Sequence, residues 1–354
     1  MLNSSDTVKI TMKSRKKVLL KKIRKLSIFI LGVLGLVAGW FIVNRAVSPF
    51  NRVKMIELQI AQNESLTPAK ETDALRIGCY NIAHGRGGVL GTNNWSGGNR
   101  AARLERLKKI AQLLKDANLD IVVLNEVDFS SFWSGHIDQA QIIASEAGYP
   151  YIVEQRNIDV AIPFMSIRFG NVILSKLPLS EPTFINFPHP SRLQEILVGG
   201  FKDGVVATAT LPNGEHIQVA AVHLSLEGEA YRHESVKMYM NVQETTRLPM
   251  IAMGDFNSTA NGYPGHHTDT NGHNCIDLLL GSKQWSTIPT GLPVNSGDFT
   301  FPSQEPARVI DWIFVASPWS LHEKTILQSD LSDHLPLTAT LQKTPNNESD
   351  DRIP

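Results

Sequence analysis

Met250 to Asn257 reads M-I-A-M-G-D-F-N: four apolar residues, a glycine, then a carboxylate and an amide two residues apart. The apolar run has the composition of a strand covered on both faces. A charge at its end, Asp255, is costly to bury unless it is paired or holds a cation. In extended backbone Asp255 and Asn257 project to the same side, which suits contact with one shared ligand. Working outward, the arrangement recurs. Asn81 closes I-G-C-Y-N (Ile77–Asn81), Glu126 follows D-I-V-V-L-N (Asp120–Asn125), and His223 interrupts Q-V-A-A-V-H-L-S-L (Gln218–Leu226). Asp311 sits inside R-V-I-D-W-I-F-V (Arg308–Val315), and S-D-H-L-P-L (Ser332–Leu337) places Asp333 and His334 before a last apolar run. Each polar residue alone has an ordinary reading as a turn residue or a satisfied core group. Together, at the ends of separate strands, they imply one site along an edge of the sheets.

Further strands are predicted at Tyr151–Glu154, Asn171–Ser175, Gly204–Leu211 and Leu335–Leu341. Helices are predicted over Asn99–Ala117, with Leu104, Leu107, Ala111 and Leu114 on one stripe, over Asp138–Ala147, and over 228–246. Many strands with few helices between them predict an α/β fold of packed sheets, not a simple alternating parallel sheet.

In their order and spacing, YN, NE, VHL, GDFN, IDWIF and SDHLPL resemble the signature of the endonuclease/exonuclease/phosphatase superfamily. GDFN and SDHLPL are the more specific of these. G-N-V-I-L-S-K-L-P-L (Gly170–Leu179) and T-F-P-S ahead of IDWIF add to the likeness, which spans 75–341. The resemblance implies a four-layer sandwich, two β-sheets face to face with helices outside, and metal-dependent hydrolysis of a phosphoester. It further implies Glu126 as the central metal ligand, with Asn81 and Asp333 completing the site. Asp255 would orient or deprotonate the attacking water, and Asn257 would bond a phosphate oxygen. His334 paired with Asp311, and His223 as the second histidine, would act on the phosphate or leaving group. Asp203 is the candidate acidic partner of His223, and Asn171 a supporting residue. Oxygen ligands favour Mg²⁺, with Mn²⁺ or Ca²⁺ as alternatives. Arg168 and Arg308 are candidate phosphate contacts, each with a surface or structural role as the blander reading.

Loop 85–98 holds six glycines and Trp95 and follows Asn81, so it is a candidate cover for the substrate as well as a plain linker. It lacks the Lys-Ser/Thr of a nucleotide P-loop. His266, His267, Asp269 and His273 raise the weaker idea of a second, zinc site. Cys79 and Cys275 do not make a disulfide framework.

The formal net charge of zero hides an uneven spread. Residues 1–25 carry nine Lys/Arg and one acid, which leaves 25 basic against 33 acidic residues over 26–354, a net charge of −8. A protein relying on phosphate contacts to nucleic acid normally has the opposite balance. Leu26–Val43 contains no charge and at ~1.5 Å per residue approaches the thickness of a hydrocarbon core. The basic run before it predicts a cytoplasmic amino terminus and a catalytic domain outside, with signal cleavage and secretion as the alternative.

The expected organisation is a basic segment 1–25, a single transmembrane helix 26–43, a stalk 44–74 with a helical piece around Val53–Gln62, a catalytic domain 75–343 and a disordered tail 344–354. The expected function is a membrane-tethered phosphoesterase of a lipid or small molecule. A tethered nuclease is the alternative, and a non-catalytic binding module the weaker one.

Overall fold

The computed structural model describes residues 4–47, 52–60, 74–162, 165–189, 202–288 and 296–343. Helix α1 (Ser4–Val47) precedes everything else. The first sheet contains β1 (Val53–Glu57), β2 (Ala74–Asn81), β3 (Ile121–Ser131), β4 (Ile137–Asp138), β5 (Tyr151–Ile162), β6 (Met165–Ser175), β13 (Trp319–Ile326) and β14 (Leu337–Lys343). Its order is β1-β5-β6-β3-β2-β14-β13, with β4 paired to β3. The second contains β7 (Leu179–Ile185), β8 (Gly204–Thr210), β9 (His216–His223), β10 (Met250–Asp255), β11 (Trp285–Ser286) and β12 (Asp311–Ala316), in the order β11-β12-β10-β9-β8-β7. Both sheets mix parallel and antiparallel pairs: β2–β3 and β9–β10 are parallel.

Strand alternation builds the layers. Ile77, Cys79, Val123, Val219, Ala221, Ile251, Met253, Ile313 and Val315 face the other sheet and form the central core. Residues one position along turn outward. Tyr80, Val122 and Leu124 meet α2 (Arg100–Asp116) and α3 (Gln139–Ala147), and Ala220, Val222, Ala252 and Phe314 meet α4 (Glu229–Thr246) and α5 (Cys275–Gly281). Two sheets between two helical layers is the expected four-layer sandwich. Asn99 starts α2 by accepting the Ala102 N–H at 2.9 Å, and Leu107, Ile110 and Leu114 are its buried stripe. Each such side chain contributes about 1.5–3 kcal/mol on burial.

Three expectations change. Val53–Glu57 is an edge strand on β5, not a helical piece, because its backbone finds open partners there. The middle strands run far beyond Tyr151–Glu154 and Asn171–Ser175, joined in one long hairpin. Strands β7 and β13, short and polar on one face, fell below the sequence signal. The end of α1 rests on that hairpin: Trp40 Nε1 donates to Ala161 O at 2.8 Å, and Phe41 packs with Ile158, Val160 and Phe169. Leu19–Val43 within α1 is long and apolar enough to cross a membrane. Both cysteines are free and buried. The expected tail 344–354 and the stalk residues 48–51 and 61–73 lie outside the described residues.

Candidate active site

Strand register gathers the polar strand ends. In the second sheet Asp255 lies beside His223 on one side and beside Asp311 on the other, so three adjacent strands present one row. In the first sheet Asn81 lies beside Asn125, one residue before Glu126. The rows meet across the sandwich. Asn81 Nδ2 donates to Asp255 Oδ2 at 3.1 Å, and Asn125 Oδ1 accepts the Asp255 N–H at 3.0 Å. Gly254, with φ +138°, permits this approach; a Cβ there would stand 2.0 Å from Val222 O.

A cavity of ≈ 400 Å³ opens on the result, lined among others by Glu126, His223, Asp255, Asn257, Asp333 and His334. Asp311 joins through His334, whose Nδ1 donates to Asp311 Oδ2 at 2.9 Å, and Asn81 joins through Asp255. All eight expected catalytic and metal-binding residues therefore converge. Glu126, Asn257 and His84 hold left-handed backbone at φ +53°, +50° and +53°. Such strain in non-glycine residues persists where the surroundings over-determine it, commonly at functional sites.

Asp255 Oδ2 is the centre of the constellation, 3.7 Å from His223 Nε2 and 3.8 Å from His334 Nε2. Burial raises the Asp255 carboxyl above its usual range, against the pull of His334. For His334 burial disfavours the cation, but Asp311, Asp255 and Asp333 outweigh it and lift the imidazolium to about 10. His223 goes the opposite way: burial and then Lys202, whose Nζ donates to His223 Nε2 at 2.6 Å, hold it well below the ordinary histidine range.

The sequence assigned His223 an acidic partner in Asp203, and this is corrected. Asp203 turns to Arg52 at 3.3 Å and accepts the Phe187 N–H at 3.0 Å. Asn171 lies beneath the site: its Oδ1 accepts from Asn125 Nδ2 at 2.8 Å. Arg168 is tied to Asp159 at 2.7 Å, whereas Arg308 lines the cavity. Three of the four zinc-site candidates are spent on local pairs, His266 with Asp277 and His273 with Asp269, while His267 lines the cavity.

Sequence reasoning missed three residues here. His84 Nε2 stands 3.5 Å from Glu126 Oε2 while its Nδ1 donates to Asp128 Oδ1 at 2.8 Å. Arg86 grips Asp333 Oδ2 at 2.6 Å. Lys202 is the third. One signal was readable: Asp128 is a second carboxylate in an apolar strand, which calls for a buried partner. The glycine-rich loop is no loose linker, since Arg103 donates to His84 O, Asn94 O and Gly98 O, and Arg106 to Gly85 O and Gly97 O.

Glu126 is the residue that best fits a hard cation. Its side chain is 24% exposed, and its nearest charged neighbours stay 3.5–4.0 Å away. Burial would raise its carboxyl, but His84 and Lys202 outweigh that and keep it ionised, as a metal ligand must be. Asp333, already held by Arg86, is an oxygen donor lining the same cavity, and Asn81 adjoins it through Asp255, its Oδ1 accepting the Ala83 N–H at 3.0 Å. Asp255, Asp311 and His334 also lie close enough to share an ion. Their grouping is explained by the Asp311–His334 hydrogen bond.

The sequence profile of the Endonuclease/Exonuclease/phosphatase family matches residues 78–334. No curated protein matches the chain. Among solved structures, an endonuclease/exonuclease/phosphatase from Beutenbergia cavernae is similar, with 19% identity, TM-score 0.57, and coverage of 76% of this chain and 72% of that one. The human Nocturnin catalytic domain shares 16% identity with TM-score 0.53, covering 84% of this chain and 99% of that one. A mannosyl-6-phosphatase from Bacteroides thetaiotaomicron shares 15% identity with TM-score 0.53, covering 75% and 99%. At these identities the three structures establish the fold.

Proposed function

The chain belongs to the endonuclease/exonuclease/phosphatase family, whose members are hydrolases of phosphoester bonds and generally need a divalent metal, and on that premise we propose that it is a membrane-anchored phosphoesterase acting on a lipid or small-molecule phosphoester at the outer membrane face. One observation carries the chemistry: a buried carboxylate, Asp255, stands between two histidines of opposite character, beside the open carboxylate of Glu126. The anchor rests on Leu19–Val43 and the basic residues before it.

Glu126, Asp333 and Asn81 would hold the ion, with Mg²⁺ favoured by their oxygen donors. When bound, it neutralises phosphate oxygens and lowers the pKa of a water. Asp255, its carboxyl raised by burial, takes a proton from the attacking water near neutral pH. Asn257 is oriented by its own contacts, with Nδ2 on Leu224 O at 3.0 Å and its N–H on Asp255 Oδ1 at 2.9 Å. Its remaining amide hydrogen serves a phosphoryl oxygen. His334 as a cation donates to the same group. Lys202 and the neutral His223 line the other side, where lysine adds positive charge toward the leaving group.

The acidic balance over 26–354 sets nucleic acid behind lipids and small molecules. The mannosyl-6-phosphatase neighbour adds sugar phosphates to the substrates worth testing. The test is the full chain in detergent micelles with Mg²⁺ and then with chelator, on sphingomyelin, phosphoinositides, sugar phosphates, plasmid DNA and a generic phosphodiester. Chelator-sensitive hydrolysis of a lipid or small phosphoester is expected. Hydrolysis that resists chelator, or none on any phosphoester, overturns the reading.

A further inference from the structure

The cavity is larger than one phosphate needs, and its wall continues past Asn257 and His334. Leu226, Phe301 and Ile310 lead to Arg308 and His267. Arg308 stands on the same short hairpin that fixes the catalytic pair. Its N–H donates to Phe301 O at 2.8 Å and its carbonyl accepts the Thr300 N–H at 2.9 Å. Thr300 Oγ1 donates to Asp311 Oδ2 at 2.6 Å, and the Phe301 ring centre is 4.8 Å from that of His334. The backbone of Arg308 is thus set by the elements that set the Asp311–His334 pair. Its side chain runs over Gly265, at φ +86°, where a Cβ would stand 3.7 Å from Arg308 Nε.

Charge separates this arginine from the others nearby. Arg232, also on the wall, is bound to Glu229 at 2.6 Å and to Ser225 O at 2.9 Å. Arg168 is bound to Asp159. Among the described residues no carboxylate pairs with the Arg308 guanidinium. A planar fork of five N–H donors, aimed into a cavity and left without an anion, matches a carboxylate or phosphate in two-point contact.

We propose that Arg308, with His267 lining the same cavity, forms a second anion subsite, so that the preferred substrate carries an anionic group on its organic part besides the scissile phosphate. The subsite rests on the phosphoesterase reading above, which supplies the first phosphate position. The apolar walls at Leu226, Phe301 and Ile310 would cover the carbon skeleton between the two anions.

The test is calorimetric binding to the full chain in micelles with excess Mg²⁺, using glucose 1-phosphate and glucose 1,6-bisphosphate as probes. The bisphosphate is expected to bind about tenfold more tightly, the scale of one charge-assisted pair at a partly exposed site. Arg308→Gln should erase that preference, and Arg308→Lys should keep part of it. Equal binding of the two probes to the wild type, or a preference that survives Arg308→Gln, overturns the subsite alone. Failure of both probes to bind removes the phosphate position itself, and with it the reading on which the subsite stands.

Discussion

His334 and His223 approach the same Asp255 oxygen from opposite sides at nearly equal distance, 3.8 and 3.7 Å, and both are almost completely buried. Their chemistry is opposite. His334 has a carboxylate behind it and stays a cation to about pH 10; His223 has an ammonium beside it and stays neutral well below the ordinary histidine range. Burial opposes charge on both rings, so the difference comes from the partner alone. An imidazolium can donate to a phosphoryl oxygen, while a neutral ring accepts from Lys202 and leaves that lysine fixed near Glu126, 4.0 Å away. Strand register made the two positions alike, and the residues behind them made them different.

The strongest way to break the comparison is to remove the open carboxylate or the charged ring. Glu126→Ala or His334→Ala should lower kcat at least about 10³-fold, with far-UV circular dichroism and cooperative unfolding preserved. Wild-type-like turnover in either purified variant would end the assignment. Next, Asp311→Asn takes away the anion that keeps His334 charged. It should cost about 10²–10³-fold in kcat, by analogy of role with a carboxylate that orients a catalytic histidine. The sign is fixed: with the anion gone the imidazolium loses its proton at lower pH, so the alkaline limb of the rate profile should move down. An unmoved limb would show that His334 does not act as the cation.

A smaller change is expected on the other side. Lys202→Met relieves the repulsion on His223, whose pKa should rise toward its ordinary value. The acid limb should then move to higher pH, and kcat/KM should fall about tenfold. A full loss of activity would instead make Lys202 indispensable. The smallest effect concerns Asp203. Asp203→Asn should leave kcat/KM within about twofold, since the residue faces Arg52. Its signature is in stability. Burial lifts the Asp203 carboxyl from 3.8 to about 6 in the folded chain, so its contribution is complete below pH 3.8 and is lost as pH rises through 6. Urea unfolding should show a loss of stability over this window that is smaller in the variant than in the wild type by up to about 3 kcal/mol. A large kinetic effect would restore Asp203 as a partner of the second histidine.

Much of this was readable in the chain. A carboxylate, amide or histidine at the end of an apolar run marks a strand edge that water or a ligand must reach, and Asn81, Glu126, His223, Asp255, Asn257, Asp311, Asp333 and His334 all follow that rule. His84 and Arg86 do not, because they sit in a polar, glycine-rich loop where such residues are ordinary. Only the turn at φ +53° brings His84 between Asp128 and Glu126. Lys202 was hidden for a similar reason: an ammonium just before a strand is the commonest of surface features. Asp203 immediately precedes β8, the strand beside the one that carries His223, yet its carboxylate meets Arg52.

The order of apolar runs and polar ends along the chain was enough to show which strands end in chemistry, that sheets pack on one another rather than alternate with helices, and that the acidic bulk of the chain follows a basic, apolar start. These are matters of period and composition, which act locally along the chain. Tertiary structure decided the rest: which histidine is charged, which arginine is left without an anion, and where Val53–Glu57 finds a strand to pair with. Hydrogen bonds and ion pairs act over a few ångströms between residues far apart in sequence, 247 positions in the case of Arg86 and Asp333. Their choice among nearby partners exists only once the fold has closed.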